Sequence, residues 1–350
     1  MTRAYPGVAL HTTLYDLPGT FPEFGSVDVQ PMPINRWPML RKHHRLALPW
    51  LAGAVSNSPI VHADVMLASS SGWAHGIRTT GRKVVYCHAP ARWLYQTDRY
   101  AGPVEGTAMR SRAVTGAVRM LGPRLRDWDQ HAAESADRYL VNSTVVQRAV
   151  AEVYGIQAEV LPPPPANLFA EGEAEPVVGV SEPFVLCVAR LLPYKNVAQV
   201  IEAVGQIPGL NLVVVGDGPE RARLEEQAAR VGHTLLAGRV ADAQLRWLYE
   251  NCTGLVAASY EDFGLTPLEA AAFGKPTAAL RDGGYLDTVI EGVSGMFFDE
   301  PTVGGIADAV SLLVARRWDA PAIGAHAELF SEERFIRRLH AVVEEELARV

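Results

Sequence analysis

Short apolar runs rich in β-branched residues alternate with longer amphipathic stretches along the second half of the chain. The runs have the length of strands, and the stretches between them have the 3.6-residue period of helices. The predicted strands are 184–189, 210–215, 234–237, 254–258 and 277–280, and the predicted helices are 197–207, 219–231, 241–251 and 267–273. This alternation predicts a parallel sheet with helices on both faces.

The first half alternates in the same way, but less regularly. Its predicted strands are 8–15, 27–32, 64–69, 84–87, 139–142 and 159–161, and its predicted helices are 40–54, 108–136 and 145–154. Residues 1–5 look like the end of a helix, whereas a doubly wound domain normally opens with a strand and a glycine-rich turn. We therefore expect two Rossmann-like domains, of which the first lacks its opening strand.

The domain boundary is predicted from composition. A chain of 350 residues is longer than one hydrophobic core usually needs. The proline run 162–165 and the acidic, small-residue stretch after it have the composition of a linker. We predict an acceptor-side domain at 1–165, a linker at 166–183, a nucleotide-binding domain at 184–330, and a C-terminal helix at 331–350 that packs on the first domain. Ligands of two such domains are expected in the cleft that the domains form.

Charge and cysteine usage narrow the classes of function. The net charge of −7 argues against nucleic acid as the main partner, because neutralising phosphates requires a basic surface. Cys87, Cys187 and Cys252 lack paired metal-ligand spacing and are interpreted as buried thiols of a reducing compartment. The start of the sequence has no signal-peptide pattern, and no apolar run reaches about 18 residues. We expect a cytoplasmic protein.

One segment, 36–50, is basic and aromatic against this acidic background. Such a run is either a solvated helix face or an interfacial patch that meets a lipid-linked acceptor. The second interpretation predicts peripheral contact with the inner face of a membrane. The residues concerned are Arg36, Trp37, Arg41, Lys42, His43, His44, Arg45 and Trp50.

The stretch from Glu261 to Glu269 carries the strongest signal for chemistry. Thr266 is a good N-cap, Pro267 suits the first helical position, and Glu269 would complete a capping box. A helix is therefore predicted to begin here, and its amino terminus suits an anion such as a pyrophosphate. The alternative interpretation is that Glu269 only caps its helix and that Glu261 is an ordinary loop residue.

Two cations and several glycine turns surround this stretch. Arg190 and Lys195 flank a turn at the end of the first strand of the second domain, where fixed cations can stabilise a departing phosphate without a metal. Taken alone, they are equally well explained as solvated charges. Strands are also followed by Gly216-Asp217-Gly218-Pro219, by Gly238-Arg239-Val240, by Gly283-Gly284-Tyr285-Leu286-Asp287, and, in the first half, by Ser69-Ser70-Ser71-Gly72 with His75 and by His88-Ala89-Pro90.

These motifs together resemble family 4 glycosyltransferases of GT-B fold. The resemblance rests on the spacing of Glu261 and Glu269 around Phe-Gly-Leu, and it extends loosely over the first half. It implies that Glu261 binds the transferred sugar and that Glu269 holds the ribose. The catalytic residues that it implies are His88, Arg190, Lys195 and Glu261, and the donor-binding residues are Arg190, Lys195, Gly216, Arg239, Val240, Glu261, Phe263, Gly264, Leu265, Thr266 and Glu269. Asp287 departs from the pattern, because glutamate is more usual there.

The resemblance implies a retaining, metal-independent hexosyltransferase of polysaccharide biosynthesis. The expected donor is a nucleotide sugar, with GDP-mannose preferred over a UDP-sugar because the first half resembles mannosyltransferase-like members. The acceptor is a glycan or a lipid-linked molecule, and no cofactor is expected beyond the nucleotide sugar.

Two other classes of enzyme fit the sequence less well, and one non-catalytic class stays open. A nicotinamide or flavin enzyme needs a third glycine where Arg221 stands, and the spacing of Glu261 and Glu269 does not support an epimerase. A catalytically impaired nucleotide-sugar-binding protein, or a partner subunit, is the alternative that the missing opening strand favours. The missing strand is expected to mean either that the start of the sequence is misassigned or that the first domain is truncated.

Overall fold

The computed structural model describes residues 1–42, 47–96, 109–166 and 173–350. They divide into two compact units. The first consists of Met1–Leu161 and Ile336–Val350, and the second of Pro162–Phe335. Both units are built from parallel strands joined by helices, which is the predicted α/β architecture.

The described residues of the first unit form six short strands. They are β1 (Leu10–Thr12), β2 (Val29–Pro31), β3 (Val65–Ser70), β4 (Arg82–Cys87), β5 (Arg138–Val141) and β6 (Glu159–Val160). Its first helices are α1 (Pro38–Lys42), α2 (Leu48–Ser56), α3 (Arg92–Tyr95), α4 (Met109–Glu134) and α5 (Thr144–Tyr154). The predicted helix 40–54 overlaps α1 and α2, and residues 43–46 and 97–108 lie outside the described part of the chain.

The strands of the first unit form two separate parallel sheets. β1 pairs with β2, while β3, β4, β5 and β6 form a four-stranded sheet in that order. In the common doubly wound order 3-2-1-4-5-6, the opening strand lies between its second and fourth strands. Among the described residues no strand joins β1 to β3. The described strands of this unit therefore form two sheets, and the absence of an opening strand stays a prediction.

The second unit has one continuous sheet. Its strands are β7 (Phe184–Val188), β8 (Asn211–Val215), β9 (Thr234–Gly238), β10 (Gly254–Ala257), β11 (Thr277–Leu280) and β12 (Gly295–Phe298). Its helices are α6 (Val197–Val204), α7 (Arg221–Val231), α8 (Asp242–Asn251), α9 (Leu265–Ala272), α10 (Tyr285–Thr288), α11 (Val303–Ala315) and α12 (Ala320–Ala327). β12, α10, α11 and α12 were not predicted, and the other strands and helices lie close to their predicted bounds.

The strand order β12-β11-β10-β7-β8-β9 places β7 and β10 side by side at the centre of this sheet. Alternate residues of β7 belong to different cores, with Phe184 and Leu186 on one face and Val185 and Cys187 on the other. The chain leaves β7 in one direction and β10 in the other. In open parallel sheets, the crevice beyond the carboxyl ends of two such strands is the usual ligand site.

The segment predicted as a linker is part of the second unit. Val177 and Val180 pack against the core that contains Phe184, and the Glu175 amide donates to the Ala243 carbonyl over 3.1 Å. Residues 167–172 lie outside the described part of the chain. The valines explain the difference from the prediction, because their burial stabilises a segment whose overall composition is that of a linker.

The C-terminal helix, α13 (Glu332–Leu347), contributes most of its length to the first unit. The Arg338 guanidinium is 2.6 Å from the Glu159 carboxylate. Glu346, whose side chain is fully buried, accepts a bond of 2.6 Å from Arg82, and Leu339 is buried. Of the helices that the structure describes, none has the length and apolar character needed to cross a bilayer.

Candidate active site

The loop after β7 carries the two predicted cations. Arg190 is exposed, and Lys195 ends a single 3-10 turn. Asn196 follows in a left-handed conformation, and its side-chain amide donates to the Ala258 carbonyl over 2.7 Å. This bond attaches the loop to the end of β10, so Lys195 is held where the two central strands diverge.

Lys195 and Glu261 are in direct contact at this position. The Lys195 ammonium donates to Oε1 of the Glu261 carboxylate, and the Ser259 hydroxyl donates to the same oxygen over 2.7 Å. The two charged side chains are 11% and 28% exposed, so the pair is shielded but reachable. The structure thus brings together a cation and a carboxylate that are distant in sequence, at the crevice of the sheet.

The predicted capping box at the start of α9 is wrong. The helix begins at Leu265 with Gly264 as its N-cap, and no side chain caps it. Thr266 is the second helical residue, and the Glu269 carboxylate accepts a bond from the Tyr249 hydroxyl instead. Gly264 has a φ of +87°, and a Cβ atom there would lie 2.5 Å from the Tyr285 ring. Only glycine fits this turn, so the helix starts before Thr266.

The amino terminus of α9 still suits an anion on physical grounds. The first backbone N–H groups of a helix have no intrahelical acceptor, and the helix dipole favours an anion at this end. Gly264 and Leu265 stand at this terminus, three and four residues after Glu261 along the chain. Phe263 is 5% exposed and packs against the Phe330 ring, so its side chain contributes to packing.

The Gly283-Gly284 turn supports this loop from behind. The Gly284 amide donates to the Glu261 carbonyl over 2.8 Å. A Cβ atom on Gly284 would lie 2.3 Å from Cα of Phe263, and one on Gly283 would lie 2.3 Å from the Glu261 carbonyl oxygen. The two glycines are therefore required by close backbone packing, and they fix the position of Glu261.

The Gly216-Asp217-Gly218 turn supports the loop that carries the cations. A Cβ atom on Gly216 would lie 1.9 Å from the Ala189 carbonyl oxygen, and one on Gly218 would lie 2.3 Å from the Leu191 carbonyl oxygen. The Gly216 amide donates to the Gly238 carbonyl. In this structure, Gly216 therefore acts through packing beside Arg190.

The residues after β9 differ in exposure. The Arg239 side chain is 86% exposed and lies 3.9 Å from the Asp217 carboxylate. Val240 is half-buried against the core of the second unit. Of these two predicted donor-binding residues, Arg239 is therefore the more accessible.

Glu269 is a half-buried carboxylate with two donors. Burial raises the pKa of its carboxyl above the usual range, and the bonds from the Tyr249 hydroxyl and the Ala166 amide partly reverse that shift. The donors thus favour the ionised form, which accepts hydrogen bonds from hydroxyl groups.

His88 belongs to the first unit, where it follows β4. Its Nε2 lies 2.9 Å from the Ser69 hydroxyl, and its backbone amide donates to the Ser70 carbonyl. Burial, reinforced by the positive charge of Arg92, lowers the pKa of His88. The ring is therefore neutral near pH 7, and two contacts to the end of β3 fix its position.

Ser70 and His75, also predicted as candidates, form a buried structural network. The Ser70 hydroxyl lies 2.9 Å from Nδ1 of His75, and Nε2 of His75 lies 3.1 Å from Asp129. Asp129 also accepts a bond from the Tyr154 hydroxyl. Ser70, His75 and Asp129 are at most 1% exposed, so no substrate reaches this serine. The network stabilises the end of β3 that contacts His88.

Several residues of the candidate site were not identified from the sequence. Ser259 and Asn196 each have one polar contact that holds the Lys195 and Glu261 loops, and Tyr249 contacts Glu269. The serine adjoins the motif, which was the one available signal. Tyr249 lies among the apolar positions of a helix, where a buried aromatic side chain is the ordinary expectation.

The fold and these contacts define a class of protein. Two α/β units with parallel sheets form the GT-B fold of glycosyltransferases, and the chain has this fold. Residues 173–328 match the family model described as glycosyl transferases group 1. This region contains Lys195, Glu261 and Glu269, and therefore the whole candidate donor site of the second unit.

Particular relatives are similar over much of the chain. D-inositol 3-phosphate glycosyltransferase of Mycolicibacterium smegmatis is 30% identical over 265 residues, which are 68% of this chain and 61% of the relative. The enzyme of the same name from Mycobacterium bovis is 30% identical over 271 residues, which are 69% of this chain and 56% of the relative. The chain thus spans about three fifths of the length of these curated relatives.

Solved structures share the fold at lower identity. Sucrose-phosphate synthase from Thermosynechococcus elongatus superimposes with a TM-score of 0.69 at 20% identity, over 98% of this chain and 90% of its own. The Anabaena protein HepE in complex with UDP gives a TM-score of 0.63 at 19% identity, over 98% of this chain and 92% of its own.

Proposed function

We propose that the chain is a retaining glycosyltransferase that transfers a hexosyl group from a nucleotide sugar to a glycan or a lipid-linked acceptor. The observation that carries the proposal is the contact of Lys195 with Glu261 at the diverging ends of β7 and β10. A cation, a carboxylate and the amino terminus of α9 meet at the crevice of a parallel sheet. This arrangement suits a sugar diphosphate, whose sugar is neutral and whose phosphates are anionic.

The proposed chemistry uses fixed charges. The bond between the sugar C1 and the donor phosphate breaks, and a bond between C1 and an acceptor hydroxyl oxygen forms on the same face. The acceptor proton passes to the departing phosphate oxygen. Lys195, Arg190 and the amides of Gly264 and Leu265 stabilise the negative charge of the phosphate, Glu261 binds the sugar, and no metal ion is assigned a role.

The proposed donor is GDP-mannose, with a UDP-sugar as the alternative. The mannosyl assignment rests on the resemblance of the first half to mannosyltransferase-like proteins. HepE, whose fold is shared, has been solved with UDP-glucose, which supports the uridine alternative.

A thermal-shift comparison of GDP-mannose, GDP, UDP-glucose and UDP tests donor binding. A ligand at 100 times its Kd stabilises the folded protein by about 2.7 kcal/mol, so the matching donor is expected to raise the Tm by several degrees. Mannose 1-phosphate is the control, because it lacks the nucleoside. If none of the nucleotides raises the Tm, the proposed function is wrong.

A nucleotide-sugar-binding protein without transfer activity is the second candidate. The division of the described strands of the first unit into two sheets favours it, because that unit is assigned to the acceptor. The two candidates differ in turnover. A chain that binds a nucleotide sugar but releases no nucleoside diphosphate, with or without acceptor, is a binder.

The segment 36–50 is proposed to make peripheral contact with an anionic membrane surface. Trp37 and Trp50 are 67% and 60% exposed, and cations stand beside them in the chain. Aromatic rings at the interface and cations near anionic head groups are the usual means of such binding. The described cations are Arg36, Arg41 and Lys42, while His43, His44 and Arg45 lie outside the described residues.

Sedimentation with vesicles of phosphatidylglycerol and phosphatidylcholine measures this contact. Wild-type protein is expected to sediment with the anionic mixture and to sediment less with phosphatidylcholine alone. The Trp37→Ala/Trp50→Ala variant is expected to remain largely in the supernatant with both. Phe21→Ala, which removes another exposed aromatic ring outside the segment, is the control. Wild-type protein that remains in the supernatant with both vesicles contradicts the proposal.

A further inference from the structure

Tyr249 lies next to the proposed ribose-binding carboxylate, but no sequence motif includes it. It belongs to α8 and is completely buried. Its hydroxyl donates to Oε2 of Glu269 over 2.8 Å. Its ring is stacked on that of Phe273, with centroids 5.6 Å apart and planes only 6° from parallel. The stacking fixes the ring, and the ring fixes the direction of the hydroxyl.

The hydroxyl of Tyr249 is costly to bury in these surroundings. The side chain belongs to an apolar cluster with Phe184, Leu186 and Leu248, which a phenylalanine ring would fill equally well. A buried hydroxyl is destabilising unless it is hydrogen-bonded. The bond to Glu269 therefore accounts for a tyrosine, rather than a phenylalanine, at this position.

The protonation states of the two groups suit a fixed donor and a fixed acceptor. Burial, reinforced by the charge of Glu269, raises the pKa of Tyr249 well above its usual value, so the phenol keeps its proton. The bond that it donates lowers the pKa of the Glu269 carboxyl, against the rise that burial causes. The bond from Tyr249 thus favours the ionised form of the Glu269 carboxylate and holds one of its oxygens in place.

We propose that Tyr249 is a positioning residue of the donor site, whose hydroxyl holds the Glu269 carboxylate in the orientation that accepts hydrogen bonds from the ribose hydroxyls of the nucleotide. The inference rests on the proposed function, which assigns the ribose to Glu269. It adds a specificity: the chain distinguishes a ribonucleotide from a deoxyribonucleotide through a tyrosine that does not touch the ligand.

The test compares Tyr249→Phe with wild type, using UDP and 2′-deoxy-UDP, or GDP and 2′-deoxy-GDP if guanine binds better. Wild type is expected to bind the ribonucleotide more tightly. The variant is expected to bind the ribonucleotide about tenfold more weakly and the deoxyribonucleotide roughly twofold more weakly, so the preference decreases. A loss of packing alone would weaken both ligands by the same factor.

The pH profile provides a second readout. Affinity for the ribonucleotide falls as the pH drops through the pKa of Glu269, because the protonated carboxyl is a poorer acceptor. The Tyr249→Phe variant lacks a bond that lowers this pKa, so its affinity is expected to fall at a higher pH than that of wild type. Coincident profiles overturn the inference.

Two further variants separate the explanations. Tyr139→Phe removes another buried phenol hydroxyl, in the first unit and without a hydrogen-bond partner, and it is expected to leave both affinities unchanged. In a protein that already carries Glu269→Gln, adding Tyr249→Phe is expected to lower the affinity for the ribonucleotide little further, because the two residues act as one unit. If Tyr249→Phe lowers the affinity by the same factor with and without Glu269→Gln, the inference is overturned but the proposed function is not. Wild type that binds none of the four nucleotides overturns the proposed function as well.

Discussion

Replacement of Lys195 by alanine is expected to lower kcat by about 10²- to 10³-fold. In the proposed reaction, negative charge develops on the departing phosphate, and Lys195 is the shielded cation at the end of β7. Its removal also leaves the Glu261 carboxylate without its cationic partner. The rate is measured as the release of nucleoside diphosphate from the donor that gives the largest thermal shift. Because the acceptor is not identified, water serves as the acceptor in this assay.

Lys275→Ala is the matched control for this experiment. Lys275 lies just beyond the carboxyl end of α9, whereas Lys195 faces the loop before its amino end. The control is expected to keep kcat within about twofold of wild type. Glu261→Ala is expected to resemble Lys195→Ala, because each removes half of one contact. Near-normal rates in both variants would refute the assignment of the active site.

Gly284→Ala is expected to disable the donor site through the backbone. The added methyl group would lie 2.3 Å from Cα and 2.4 Å from the carbonyl oxygen of Phe263, and neither backbone atom can rotate away. The loop that carries Glu261 must therefore move. Overpacking of this kind costs about 1–3 kcal/mol of unfolding free energy, and a displacement of about 1 Å can reduce turnover by about 10²-fold.

Chemical denaturation and donor release together measure the effect of Gly284→Ala. Gly304→Ala is the control, because no atom lies within 4 Å of the added methyl group and alanine is the better helix former by up to about 1 kcal/mol. The control is expected to keep full activity and equal or greater stability. A Gly284→Ala variant with wild-type stability and activity would show that the turn does not position Glu261.

The second unit was predicted well because its strands are buried on both faces. Such strands appear in the sequence as unbroken apolar runs, and β7, β8, β10 and β11 begin and end within one residue of the predicted bounds. β12 was missed, because its four residues follow a turn rich in small residues. In the first unit, β1 and β2 are three residues each, which is too short for a period-two pattern to set their limits.

Charges in turns were easier to identify as candidates than polar groups in a core. Arg190, Lys195 and Glu261 lie in the loops that follow two neighbouring parallel strands, so the topology predicts them at one edge of the sheet, and the structure places Lys195 in contact with Glu261. The capping box at Glu269 was wrong because local spacing gave no information about Tyr285, which excludes a side chain at Gly264. His75 was named as a candidate because the sequence does not show its contact with the buried Asp129, which lies 54 positions further along the chain.

The sequence by itself determined the alternating α/β pattern and the position of the candidate carboxylates and cations in loops that follow strands. These properties depend on residues close together in the chain, so periodicity and spacing reveal them. Only the tertiary structure decided that Lys195 contacts Glu261, that Tyr249 holds Glu269, and that Ser70 and His75 are buried away from any substrate. Those contacts depend on how strands and helices pack, because packing brings together side chains whose separation in sequence carries no information about their distance in space.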